Sequence, residues 1–372
     1  MKYFILAGEA SGDLHGSYLI REIKKIDDKA IFHGWGGDLL EKEGMKIFKH
    51  IRELAFMGFV EVLQNILTIQ KNFKICKKQI KEFNPDVVIF IDYPGFNLRM
   101  AKWTKKNDYK SLYFISPNAW AWKASRVFKV RDYTDRMYTI LPFEKEFYAS
   151  YNIDVEYFGH PLVDVVNEHK KSSFDEFCEQ NNLEKKPIIA LMAGSRKQEI
   201  KQMLPIMAEL AQDFTDYQFV ITGAPAIDRE FYLQFIENKP VKLLSGKTYD
   251  ILSHSTAGLI TSGTATLEAA LFNLPQIVCY KGGTLSVMIA RIVANVKYIS
   301  LVNLILDKNA VKELIQKDLT KKNLTNELIN ILPKGKKHNQ IKENYLSLSK
   351  KLDQPGVYKR IAANMLNRVS KK

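Results

Sequence analysis

One carboxylate in the first half of the chain stands where a hydroxyl proton could be removed, and a second lies in a polar cluster with Ser11, Asp13 and His15 at another strand end. Asp92 follows the apolar run 86–91 in Ile91-Asp-Tyr-Pro-Gly-Phe-Asn97, and Glu9 lies in Gly8-Glu-Ala-Ser-Gly-Asp-Leu-His-Gly16 after the run 3–7. A carboxylate at the carboxyl end of a strand, facing a cleft, can serve as general base when a proton lies within hydrogen-bond reach. The same residues also fit structural work: Asp92 suits an Asx turn before Pro94, and Ser11 or Asp13 suits a helix cap. The glycines at 8, 12 and 16 do not follow the dinucleotide order G-x-G-x-x-G, and Glu9 would repel a pyrophosphate, so a nicotinamide cofactor is not expected.

The second half carries residues suited to an anion. Gly194-Ser-Arg196 follows an apolar run, 187–192, at a strand-to-helix turn. Backbone N–H groups at such a helix start attract an anion, Gly194 allows close approach, and Arg196 can hold phosphate oxygens in a fork. A diphosphate seat and an ordinary turn with a solvated arginine both fit this segment alone. A second run, 257–262, leads into Gly263-Thr-Ala-Thr-Leu-Glu268, and two such starts can converge on one ligand. Glu268 is either a capping partner or an acceptor for sugar hydroxyls.

These residues need elements to hold them. Strands are expected at 3–7, 31–35, 86–91, 112–115, 137–141 and 155–158, then near 188–193, 218–222, 241–244, 257–261 and 276–280, with helical patterns between. Such alternation implies parallel sheets, and two sets imply an α/β protein with two Rossmann-like, doubly wound domains facing a cleft. The expected division is 1–165, 166–345, and a terminal helix in 346–372 packing back on the first domain. From Lys281 onward helices are expected, broken at Ser300-Leu-Val-Asn303 and at 333–338.

Two further stretches suit an amphiphilic ligand. Ser116-Pro-Asn-Ala-Trp-Ala-Trp122 puts Trp120 and Trp122 in a strand-end loop, as a sugar or acyl platform or as aromatics folded over the sheet. The apolar stretch 54–67, with Met57, Phe59 and Val60, precedes Lys71, Lys74, Lys77, Lys78 and Lys81. It fits a helix that sits on anionic lipid or takes up an acyl chain, and equally a buried helix followed by a solvated lysine face. Arg126, Lys129 and Arg131 form another basic face.

Composition bounds these readings. With 372 residues, 46% hydrophobic and 26% charged, the chain can build two cores. A net charge of +14 favours anionic partners, among which nucleic acid is not expected because no nucleic-acid module accompanies the charge. Cys76, Cys178 and Cys279 are too far apart for a zinc site or a disulfide framework, which fits a reducing cytoplasm. The first residues read as a strand and not as a secretion signal, and no run reaches the ~18 apolar residues of a membrane span.

Taken in order, the motifs resemble the lipid-A-disaccharide synthase family of inverting GT-B glycosyltransferases. They are Ala7-Gly-Glu-Ala-Ser-Gly-Asp13, Met57-Gly-Phe-Val-Glu-Val62, Ile91-Asp-Tyr-Pro-Gly-Phe-Asn97, Ser116-Pro-Asn-Ala-Trp-Ala-Trp122, Leu141-Pro-Phe-Glu-Lys-Glu-Phe147, Phe158-Gly-His160, Gly194-Ser-Arg196 and Ser262-Gly-Thr-Ala-Thr-Leu-Glu268. The resemblance implies transfer of 2,3-diacylglucosamine from its UDP ester to the 6-hydroxyl of 2,3-diacylglucosamine 1-phosphate, with a β-1,6 link, release of UDP and no metal or other cofactor. By the same resemblance Asp92 is the base and Glu9 its runner-up. Gly194, Ser195, Arg196, Gly263, Thr264, Glu268 and Asn303 hold the donor. Ser11, Asn97, Trp120, Trp122, Met57, Phe59 and Val60 are expected at the acceptor and its acyl chains. The protein is then expected on the inner face of the inner membrane, with a homodimer exchanging carboxy-terminal segments as one arrangement. Departures are Gly95 for an acidic residue, Val302 for Pro, and Met192-Ala193 for Leu-Pro. The alternatives are another UDP-sugar-using GT-B enzyme, such as a cell-wall transferase or a 2-epimerase, and a non-catalytic nucleotide- or lipid-binding protein.

Overall fold

The computed structural model describes residues 1–54, 66–121, 125–225, 227–282 and 297–370. Met57, Phe59, Val60 and Trp122 lie outside the described residues. The chain forms two units, Met1–Asp164 with Gln354–Lys372, and Val165–Asp353.

The first unit is built on seven strands: β1 (Lys2–Ala7), β2 (Ile31–Gly36), β3 (Lys46–His50), β4 (Val87–Ile91), β5 (Ser111–Phe114), β6 (Arg136–Thr139) and β7 (Glu156–Tyr157). Their lateral order is β3-β2-β1-β4-β5-β6-β7, and every pair is parallel, with Tyr3 opposite both Phe32 and Val87. All five residues of β4 are buried, as a strand covered by helices on both faces requires. Phe4, Leu6, Trp35, Val88, Phe90 and Tyr113 form the centre of the core. Strand β3 is an addition to the expected set; Lys46 and Lys49 interrupt its apolar pattern, as suits a sheet edge.

The lysine-rich segment after the apolar stretch is the helix Ile66–Phe83. Asn72, Cys76 and Ile80, four residues apart, are buried, while Lys71, Lys74, Lys78 and Lys81 are exposed and Lys77 lies 5.9 Å from the Trp103 ring centre. The lysines therefore form the outer face of an amphipathic helix.

The second unit repeats the plan with β8 (Ile188–Met192), β9 (Gln218–Gly223), β10 (Val241–Ser245), β11 (Ser255–Thr261), β12 (Gln276–Tyr280) and β13 (Lys312–Ile315). All its pairs are parallel, in the order β10-β9-β8-β11-β12-β13. Strand β13 lies where the sequence pattern suggests helices alone, and Ser300 begins a helix, Leu301–Leu306, instead of breaking one. Numbered within each unit, both sheets contain the dinucleotide-fold order 3-2-1-4-5-6, which the first extends by a seventh strand; in this order ligands bind beyond the carboxyl ends of the strands where the order reverses. Those switch points lie between β1 and β4 and between β8 and β11.

The helix His338–Leu352 belongs to the second unit, where the Tyr345 hydroxyl donates to the Leu274 carbonyl at 3.0 Å. The chain then returns, and the helix Val357–Ser370 packs along Ala10–Lys24. Asp164 caps its start, accepting from the backbone N–H of Gly356 at 2.6 Å and of Tyr358 at 2.9 Å. Tyr138 donates to Asn364 Oδ1 at 2.9 Å, and Arg360 donates to the Phe158 carbonyl at 2.8 Å. His15 Nδ1 meets the Tyr358 hydroxyl at 2.6 Å; burial lowers the His15 pKa to about 4, so the ring is neutral at neutral pH.

Candidate active site

Asp92 sits just beyond β4, at the first switch point, in an unusual conformation. Its φ is +45° and that of Tyr93 is +49°, the left-handed region, which costs a non-glycine residue ~1–2 kcal/mol. Neighbouring groups hold it there. Its N–H donates to the Phe114 carbonyl at 3.0 Å, and its own carbonyl accepts from Asn97 Nδ2 and from the Tyr113 hydroxyl, each at 2.8 Å. Asn97 Nδ2 also reaches the carbonyls of Leu6 at 3.1 Å and Ile91 at 3.3 Å, tying the ends of β1 and β4 together. Pro94 at the first helical position then starts the helix Pro94–Lys106. Ile115, at the end of β5, is also left-handed at +70°. Strain gathered at adjacent strand ends, and over-determined by its surroundings, is the mark of a site whose geometry matters.

The first loop lies against this turn. A Cβ at Gly8 would fall 2.4 Å from the Tyr93 ring, so only glycine lets the two loops approach. Glu9, partly buried, opens the helix Ala10–Lys24 and raises the proton affinity of Asp92. Burial is the largest cause, Glu9 the next and Glu144 a smaller one, and together they lift Asp92 to about 7 against the pull of the Tyr93 backbone and Arg126. Glu144 is itself buried and lifted to about 7 by desolvation, although it accepts from the N–H groups of Leu141 at 3.0 Å and Ile140 at 3.2 Å. Ser116 and Trp120 add to the pull on it. The sequence carried Glu144 only as part of Leu141-Pro-Phe-Glu; it is a third carboxyl of this site.

Asp13, also of the first loop, turns away. It is buried and accepts from the backbone N–H of Gly37 at 2.7 Å and of Leu39 and Leu40 at 3.1 Å, capping the helix Asp38–Lys42. Ser11 is exposed. Trp120 is partly buried and meets Phe143 edge-on at 5.1 Å between ring centres.

In the second unit, Gly194, Ser195 and Arg196 follow β8 and Gly263 and Thr264 follow β11, on either side of the second switch point. Gly194 has φ +115° and Gly263 +140°. Ser195, Arg196, Gly263 and Thr264 are exposed. The helices Lys197–Glu209 and Thr264–Leu271 start with no side-chain hydrogen bond from their N-cap residues. Glu199, in the first turn, accepts from the Ser195 N–H at 3.1 Å and pairs with Arg196 at 3.4 Å. Glu268 accepts from the Tyr249 hydroxyl at 2.8 Å, and burial raises its pKa against that bond. These groups supply amide donors, one guanidinium and a carboxylate next to a tyrosine, a set suited to a diphosphate and a polyol.

A family model described as lipid-A-disaccharide synthetase matches residues 3–365. The chain belongs to the lipid-A-disaccharide synthase family. It is 38% identical over 378 residues to the lipid-A-disaccharide synthase of Syntrophus aciditrophicus, covering 99% of this chain and 97% of the relative. It is 34% identical over 333 residues to that of Coxiella burnetii, covering 88% of each. Among solved structures, the UDP-GlcNAc 2-epimerase of Neisseria meningitidis bound to UDP-GlcNAc matches with TM-score 0.70 at 15% identity, over 99% of this chain and 100% of the other. A calicheamicin glycosyltransferase matches with TM-score 0.60 at 12% identity, over 99% and 98%. At those identities the likeness is one of fold, the two-Rossmann-unit GT-B plan. Glycosyl transfer in lipid A biosynthesis follows from the family.

Within this synthase family member, the expected residues fall into two kinds. Asp92 and Glu9 meet at the first switch point, and Gly194, Ser195, Arg196, Gly263 and Thr264 flank the second. Asn97 and Asn303 are fully buried and work on backbone. Asn303 donates to the Val311 carbonyl and to Glu313, both at 2.9 Å, and accepts from the N–H of Ala310 at 2.8 Å and of Val311 at 3.0 Å. Its amide is spent on the loop between the helix Leu301–Leu306 and β13, where Glu313 also accepts from Ser300 and Ile299.

Proposed function

We propose that this synthase transfers 2,3-diacylglucosamine from its UDP ester to the 6-hydroxyl of 2,3-diacylglucosamine 1-phosphate, with inversion. Asp92 takes the hydroxyl proton; the oxygen forms the new β-1,6 bond to the anomeric carbon as the bond from that carbon to the diphosphate oxygen breaks. The electron pair leaves on UDP. Arg196 and the N–H groups at Ser195, Gly263 and Thr264 meet that charge, which makes a metal ion unnecessary, and Glu268 accepts the ribose hydroxyls. Asn97 positions Asp92, and Trp120 packs against the acceptor.

The observation that carries this reading is the state of Asp92. A carboxylate lifted to about 7, at a sheet switch point, is matched to removing a proton at neutral pH. Glu9 raises that basicity and does not need to be the base itself. The exposed lysines of the helix Ile66–Phe83 suit a peripheral position on the anionic inner face of the inner membrane, where both acylated substrates reside. In a dimer that exchanges carboxy-terminal segments, the seat at Asp164, Tyr138 and His15 would receive the partner's helix. The test is UDP release with and without the acylated glucosamine 1-phosphate. Release should require that acceptor; release that proceeds equally with soluble sugars alone, or conversion of the donor without an acceptor, would overturn the assignment.

A further inference from the structure

We propose that Glu199 is an internal occupant of the diphosphate seat: it holds the Ser195 N–H and the Arg196 guanidinium until the donor displaces it, and reclaims them as UDP departs. This rests on Arg196 as the diphosphate residue. The geometry is specific. One carboxylate oxygen of Glu199 accepts from the Ser195 N–H at 3.1 Å and the other pairs with Arg196 Nη1 at 3.4 Å. The carboxylate also lies over Gly194, where an added Cβ would come within 2.5 Å of Glu199 Oε2. Two carboxylate oxygens thus occupy the amide and guanidinium positions that two phosphate oxygens require, above the glycine that permits close approach. Neither donor can serve both anions at full strength.

The pairing is weak enough to yield. The Arg196 side chain is 56% exposed, and exposed ion pairs of this kind are marginal. Glu199 stays tethered one turn into the helix, so it competes as an intramolecular ligand and returns when the product loosens. A glutamate at this helix position is also a common cap, and the two roles separate on one substitution. Glu199→Gln keeps an oxygen for the Ser195 N–H and removes the charge opposite Arg196. A cap, or a group that aims Arg196 at the donor, predicts unchanged or weaker UDP binding; an occupant predicts tighter binding.

The experiment is calorimetric titration of UDP into the wild type, Glu199→Gln, Arg196→Met and the double variant, with circular dichroism confirming the fold. Glu199→Gln should bind UDP about three- to tenfold tighter, the order expected for losing one exposed ion pair and part of one hydrogen bond, and UDP should leave more slowly. In the Arg196→Met background the gain should shrink below about twofold, because the competition runs through the guanidinium. Equal or weaker binding by Glu199→Gln would overturn the proposal, and so would a gain that persists in full without Arg196, which would mark general charge repulsion. Glu199→Asp, whose shorter arm cannot span both donors, provides a second variant with the same expected direction. A wild type that binds no UDP would remove the donor-site reading itself, whereas UDP binding untouched by Glu199 removes only this one.

Discussion

Asp92→Asn should abolish most turnover and, at neutral pH and above, make the protein more stable. The side chain keeps its size, and the bonds from Asn97 and Tyr113 go to the backbone carbonyl of residue 92, so the turn is retained. Without a base, kcat/KM should fall by about 10²–10⁴. The stability effect follows from the pKa. The folded protein lifts this carboxyl from an ordinary 3.8 to about 7, so it binds the proton more tightly folded than unfolded. Its favourable contribution is therefore complete below 3.8 and is lost as pH rises to about 7. Ionisation costs up to ~4 kcal/mol at pH 8, and solvent screening of a partly exposed group reduces this to ~2 kcal/mol. Asparagine has no charge to bury. Differential scanning fluorimetry should show the variant melting ~4–8 °C higher at pH 8, with the difference vanishing near pH 4. Full activity in the variant, or a lower melting temperature at pH 8, would refute the assignment of Asp92 as a base held at high proton affinity.

The other perturbations read different parts of the site. Glu9→Gln removes the largest charge effect that raises Asp92, so the acidic limb of the kcat/KM profile should move to lower pH, measured by initial rates across the limb. Arg196→Met should raise the donor KM or lower kcat by about 10²-fold or more while leaving the acceptor KM in place, seen in bisubstrate kinetics. Asn303→Ala strips four internal hydrogen bonds and should destabilise the second unit by ~2–4 kcal/mol, read as a lower denaturant midpoint. Asp164→Asn should weaken the cap of the terminal helix by ~1–2 kcal/mol, visible as faster hydrogen exchange across 357–370.

How much of this was legible in the sequence depended on where the signal lay. Asp92, Glu9 and Gly194 ended apolar runs, and such ends are visible as a change of residue type. The switch points were not, because chain order says nothing of lateral order; only the pairing of β1 with β4 and of β8 with β11 brings those loops together. Strands β3 and β13 escaped because each is short and carries lysine, and an edge strand needs less apolar surface. Asn303, Asp13 and His15 share the residue types of ligand-binding groups but turn inward to hold backbone or tyrosine, a distinction that burial makes and composition does not. Glu144, followed by Lys145 and Glu146, has the pattern of a solvated helix start, yet it is buried, with Ser116 and Trp120 among the groups that act on it.

The most direct measurement is acceptor-dependent UDP release by the wild-type protein from about pH 5 to about pH 8. Catalysis by Asp92 predicts a rate that climbs tenfold per pH unit at the acidic end, reaches roughly a tenth of its plateau at pH 6 and about half near pH 7, and levels off toward pH 8. A rate that ignores the acylated acceptor, or that stays flat across this range, would contradict it.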